Sequence, residues 1–274
     1  MFPEALSNLG LTLQEKGEIK NAISSFNAAL QLNPYLVEVK SNLAMAQLLN
    51  GDYQQGLENY EFRFSTKTGL NALLNKPKFS QWDGRDLKSG QKLLLISEQG
   101  LGDTIHFMRY AIILRQRGLD VNLCAQTKLH SLIRASGIDS SPIPPEEITD
   151  SEDAHWLPLL SILRHLRVTA DDPIISDPYI KAPDLLMMTW KEHLSSERRP
   201  IIGINWQGNP SHETTNSKGR SLPLETFAPI VQKTNASLLS LQKGFGSDQL
   251  ETCSFRDRFV SCQDQINDTW DFLE

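Results

Sequence analysis

The sequence predicts an α + α/β fold: N-terminal helical hairpins followed by a pair of Rossmann-like lobes, the second of them incomplete. Three observations lead there. Small and large residues recur at fixed spacing before residue 70. From residue 91, short apolar runs alternate with helical periodicity, and that alternation restarts at Ile201. A chain of 274 residues is comfortable for two domains and can bury a core without staples. The boundaries read as repeats over 1–68, a linker over 69–90, a first lobe over 91–185 and a partial second lobe over 186–274.

The repeat comes first. Leu6, Leu9, Gly10 and Leu13 fall on one helix, and Gly17 breaks the chain. Ala22, Phe26 and Ala29 fall on a second helix that Asn33 and Pro34 end. This is the tetratricopeptide pattern. Gly10, Ala22 and Ala29 let two antiparallel helices approach, Phe26 and the leucines fill the groove, and Pro34 cannot continue a helix. A shift of about 34 residues lands on Leu43, Ala44, Gly51, Gly56 and Tyr60. This second repeat is degenerate: Gly56 replaces a small alanine, Arg63 stands where the first repeat has Ala29, and no proline closes it. Stacks of this kind usually need about three repeats, so these two are expected to lean on a neighbour and to offer a surface for a peptide.

Residues 76–90 have the Pro, Gly and Ser content of a connection, with Phe79 and Trp82 as apolar anchors against the next domain. The α/β elements then follow in order. Residues 92–97 read as a buried strand, 104–117 as a helix stopped by Gly118, and 120–125 as a strand. Residues 128–136 read as a helix stopped by Gly137, 154–158 as a strand, and the leucine-rich stretch to His165 as a short helix. A longer helix over 184–193, a strand over 200–206, a helix over 224–232 and a strand over 237–241 complete the pattern. Such alternation predicts parallel sheets. The stretch 186–274 is short of the roughly 100–150 residues of a typical domain.

Composition excludes several classes. The net charge of −6, without a basic cluster, argues against a nucleic-acid partner. Cys124, Cys253 and Cys262 have no zinc-type spacing and suit a reducing compartment, so no metal and no cofactor are expected. No signal peptide is evident at the N-terminus, and no apolar run reaches the roughly 18 residues of a membrane span. A cytoplasmic location is the expectation. An unfinished second sheet would expose an edge, which predicts self-association.

Chemistry is expected at the ends of strands, where open parallel sheets bind ligands. The turn at 98–103 follows the first strand; Gly100 and Gly102 permit positive φ, and Asp103 is either a helix cap or a general base. The polar loop at 205–223 carries Asn209, Lys218 and Arg220 before a helix, a favourable setting for a diphosphate. A third polar loop at 242–247 includes Gln242 and Lys243. The turn at 100–102 lacks the third glycine of a dinucleotide fingerprint, which disfavours an oxidoreductase.

These motifs, taken in order, resemble a known family. They are Trp82, Asp83 and Gly84, then Glu98, Gln99, Gly100, Leu101, Gly102, Asp103 and on to Arg109 and Tyr110. They continue with Gly203, Asn205, Trp206, Gln207, Gly208, Asn209 and Pro210, then Arg220 to Pro223, and Ser240 to Gly244. The chain is similar over nearly its whole length to bacterial tetratricopeptide proteins that carry a domain like the lipopolysaccharide heptosyltransferases. The resemblance implies a GT-B architecture and metal-independent transfer of a sugar from a nucleotide-sugar donor. It implies Asp103 as the base. It also implies a cation at Arg220, where those enzymes have lysine, against the donor phosphates. Asn209, Gln242 and Lys243 match the tetratricopeptide relatives; with Gly100, Gly102 and Lys218 they complete the expected donor-binding set. In the family an Asp-Thr-x-x-His motif follows the segment corresponding to 264–274, so part of the donor site is expected to be missing. Two functions therefore stand side by side. One is a glycosyltransferase-like protein, and the other is a non-catalytic interaction module that uses its repeats.

Overall fold

The computed structural model describes residues 2–66, 73, 76–87, 90–98, 100–149, 153–175, 177–210, 213 and 221–261. The expectations that fall on Lys218, Arg220 and residues 264–274 lie outside them. The chain divides into two compact units, Met1–Lys181 and Ala182–Glu274.

The first unit opens with two helical hairpins. Helices α1 (Pro3–Glu15) and α2 (Ile19–Leu32) form one; α3 (Val37–Asn50) and α4 (Tyr53–Tyr60) form the other, and a 3-10 turn, Glu61–Ser65, continues α4. Pro3 sits at the start of α1, where a missing amide donor costs nothing. Ala22, Phe26, Ala29, Val39, Leu43 and Ala46 form one buried cluster, with Leu6 and Leu13 packed against it. A Cβ on Gly10 would lie 2.6 Å from the Phe26 ring, so the hairpin closes only around glycine. Gly17 and Gly51 turn the chain with φ of 79° and 87°, a conformation that glycine adopts without strain.

The linker lies against the sheet, as its two aromatics predict. The Trp82 amide donates to the Trp156 carbonyl at 2.8 Å, and Trp156 Nε1 donates to the Phe79 carbonyl at 3.0 Å. Strands β1 (Lys92–Ile96), β2 (Asp120–Cys124) and β3 (Ala154–Pro158) form a parallel sheet of order β2-β1-β3. Leu93, Leu95 and Ile96 are fully buried, as the apolar run of a central strand requires. Because β2 and β3 flank β1 on opposite sides, the connections diverge between β1 and β3.

Helices α5 (Leu101–Phe107) and α6 (Tyr110–Gln116) join β1 to β2; α7 (His130–Ala135) lies between β2 and β3, and α8 (Ile162–Leu166) follows β3. The single helix expected over 104–117 is in fact two. Arg109 Nε donates to the His106 carbonyl at 2.7 Å, engaging the acceptor that the Tyr110 amide would use in a continuous helix. The Ala111 and Ile112 amides turn instead to the carbonyls of Met108 and Arg109, three residues back.

The second unit holds α9 (Asp184–His193), β4 (Ile201–Ile204), α10 (Ala228–Lys233) and β5 (Ser237–Ser240). β4 and β5 pair in parallel over Ile204, Trp206, Leu224, Val231, Leu238 and Phe255, and Phe259 adds an isolated parallel bridge to Leu238. The helix expected over 224–232 begins as a 3-10 turn through Phe227. Pro229 has no amide to give the Glu225 carbonyl, so the α-helix starts at Ala228 with proline in its first turn. Among the described residues no helix is long and apolar enough to cross a membrane.

Candidate functional site

The carboxyl ends of β1 and β3 are built around Glu98, which is 3% exposed. Its carboxylate receives Arg63 Nε at 2.7 Å and Nη2 at 3.0 Å, and the Leu160 amide at 3.0 Å. Arg63 Nη2 also donates to Ser161 Oγ at 2.9 Å, and Nη1 donates to the Tyr60 carbonyl and to Glu61, each at 3.0 Å. The guanidinium is stacked between the rings of Tyr60 and Phe64, 4.2 and 4.0 Å away. Burial works to lower the Arg63 pKa, but the hydrogen bonds and charges of Glu98 and Glu61 outweigh it and hold the pKa above its usual value. A residue of the 3-10 turn that continues the second hairpin thus reaches the ends of two strands that diverge in connection, the position where doubly wound sheets bind ligands.

In the sequence Arg63 stands out only as a departure from the repeat. The signal was present: a large cation where the first repeat has alanine, with an aromatic on either side. Its partner Glu98 carries no comparable signal beyond its place in the turn.

In the turn itself, Asp103 is half-buried and its Oδ2 accepts the Gly100 amide at 3.1 Å, so it closes the start of α5. Gly100 has a φ of −69° and Gly102 is likewise outside the left-handed region, so neither uses the positive φ that glycine permits. A Cβ at Gly102 would meet nothing within 4 Å. Beside Asp103, the exposed His106 accepts or shares a hydrogen bond with Arg109 Nη2 at 3.2 Å through Nδ1. Arg109 lies 4.6 Å over the Tyr179 ring, and Tyr179 Oη donates to the Ile105 carbonyl at 2.6 Å. Burial and then the Arg109 charge push the His106 pKa down against the pull of Asp103.

In the second unit the loops after β4 and β5 meet at Gln242, which is 2% exposed. Its Oε1 accepts the amides of Trp206 at 3.1 Å and Gln207 at 2.8 Å; its Nε2 donates to the carbonyls of Gln207 at 2.9 Å and Phe245 at 2.6 Å. Gln242 therefore ties two loops together. Asn209 is exposed and Lys243 half-buried. A cavity of about 380 Å³ lies here, lined by Gln207, Pro210, Glu213, Ser221, Pro223 and Gln249. Ser221 Oγ donates to Glu213 and accepts the Gly208 amide. Among the described residues no group of His, Cys, Asp and Glu is arranged to hold a metal ion.

Residues 3–36 match the family model described as tetratricopeptide repeat. The chain is 26% identical to Protein FlbA of Caulobacter vibrioides over 274 aligned positions, covering 89% of this chain and 44% of FlbA. It thus spans less than half the length of that relative.

Proposed function

We propose that the chain is a protein-interaction module, in which two tetratricopeptide hairpins are carried on an α/β unit and take a peptide or protein partner. The cluster of Arg63, Glu98 and Ser161 carries this reading. An open parallel sheet keeps its ligand crevice where connections diverge, and here a repeat side chain occupies that place. The Glu98 carboxylate at that place is engaged by Arg63 and the Leu160 amide. The test is affinity capture with the tagged full chain and identification of what is retained. A partner retained reproducibly by the full chain and not by the tag control supports the reading, and capture of nothing beyond the tag control contradicts it.

A second reading is favoured by the ordered motifs and by the cavity at the ends of β4 and β5. It is a glycosyltransferase of GT-B architecture, with lobes over 91–185 and 186–274, acting on a nucleotide-sugar without a metal. Asp103 would take the proton of the acceptor hydroxyl, a contribution of roughly 10²–10⁴-fold. Gly100, Gly102, Asn209, Lys218, Arg220, Gln242 and Lys243 would face the donor. The engagement of Gln242 at both ends of its amide weighs against its share in that set. Nucleotide-sugar turnover that disappears with Asp103→Asn would move the balance to this reading.

A further inference from the structure

Within the first unit, two adjoining cavities separate the second hairpin from the segment after α8. One, of about 350 Å³, has Leu57 and Val168 on its floor and Glu58, Arg164 and Arg167 around it. The other, of about 630 Å³, is lined by Gln47, Asp52, Gln55 and Asp171 among others. Gln54 and Thr169 border both, so the two form one elongated groove. Neither the repeat motif nor the strand-end turn accounts for it.

The groove is charged in opposite senses at its two ends. At the first, Arg164 pairs with Glu58 at 3.4 Å, while Arg167 is exposed with no acid in ion-pair range among the described residues. At the second, Asp52 and Asp171 face no cation among the described residues. Asp52 does not cap α4 with its side chain, which accepts Asn50 Nδ2 at 2.8 Å; the Tyr53 and Gly56 amides donate to the Gly51 and Asp52 carbonyls, so of the first turn the Gln54 and Gln55 amides remain on that wall. Between the ends lie the amide side chains of Gln54 and Gln55. The opposite wall is held in a costly backbone: Arg167 has a φ of 56° and Ile174 a φ of 64°, and the segment between them is pinned by Asp172 to Thr169 and Ile174.

We infer that this groove binds an extended peptide of a partner protein that carries a carboxylate side chain and, further along, a cationic one. Charge complementarity selects this occupant. A nucleotide or other polyanion would set its phosphates against Asp52 and Asp171, and a neutral glycan would leave Arg167 and both aspartates without a counter-charge. An extended main chain offers alternating carbonyls and amides, which suit the glutamine amides and the first turn of α4. The carboxylate meets Arg167 over the apolar floor, and the cation meets Asp52 and Asp171. This inference rests on the interaction reading and gives that reading a place and a ligand chemistry.

The test uses the full chain and a set of fluorescein-labelled nine-residue peptides of Ala, Ser and Gln. Each carries one Glu and one Lys at varied separation and in both orders. Binding is read by fluorescence anisotropy. The expected result is saturable binding at a preferred separation and order, weakened at least tenfold by Arg167→Asn and by Asp171→Lys. Asn tolerates the left-handed backbone at 167, and both positions are exposed, so an unchanged melting curve checks that each variant is folded. The Arg167→Glu, Asp171→Lys double variant is expected to prefer the reversed order. Equal binding by wild type and variants overturns the groove while leaving the interaction reading intact. Absence of binding to every peptide also overturns the groove, and the interaction reading then stands or falls on partner capture.

Discussion

Arg63 has all its donors engaged, and Glu98, which it holds, is almost entirely removed from water. Breaking such a pair from one side strands a buried charge, whereas replacing both partners with apolar residues removes the penalty along with the bond. Arg63→Ala is expected to cost about 3–5 kcal/mol in urea unfolding. A double Arg63→Met, Glu98→Met variant is expected to recover most of that loss; equal losses in single and double variants would contradict the account. A second residue-scale effect depends on pH. His165 packs against Trp82 with ring centroids 5.0 Å apart and the ring planes tilted by 35°. Burial first, and the Arg164 charge second, hold its pKa below the usual value, against the pull of Glu61, Glu58 and Asp83. The unfolded chain therefore takes up the proton more readily, so stability present above the ordinary histidine pKa of about 6.5 falls as pH drops toward the folded value. The melting temperature should decline from pH 7 to pH 5, and His165→Gln should flatten that decline.

At the scale of elements, close approach decides the repeats. Gly10 faces Phe26 so tightly that Gly10→Ala is expected to overpack the first hairpin and cost about 1–3 kcal/mol, read by thermal melting. The same tightness is why the hairpins were legible in the sequence: only small residues serve where helices touch, and they recur in register. The strands were legible because buried parallel strands are nearly continuous apolar runs, and Ala154–Pro158 is found where it was expected. The division at 108–109 was not legible, because it depends on the Arg109 side chain reaching back to a carbonyl, and periodicity does not record such a bond. The late start of α10 could have been read from Pro229, whose missing amide is a local property. At the candidate site, the turn was legible as a strand end, and closing the start of α5 was one of the two roles open to Asp103. The role of Arg63 and Glu98 was not, because 35 residues separate them and only the packed unit brings them together.

At the scale of the molecule, the first unit joins three pieces that the sequence presents in series: repeats, linker and sheet. Their union bears on the proposed function, since the side chain that attaches the second hairpin stands at the carboxyl ends of β1 and β3. The most direct measurement is a thermal-shift titration of the full chain with a panel of nucleoside diphosphates and nucleotide-sugars. A ligand that binds only the folded state adds about 2.7 kcal/mol at 100 times its dissociation constant, enough to see as a raised melting temperature. An interaction module whose strand-end crevice is filled by Arg63 should show no shift with any member of the panel. A saturable rise with one nucleotide-sugar would contradict that account and turn attention to Asp103 and the loops after β4 and β5.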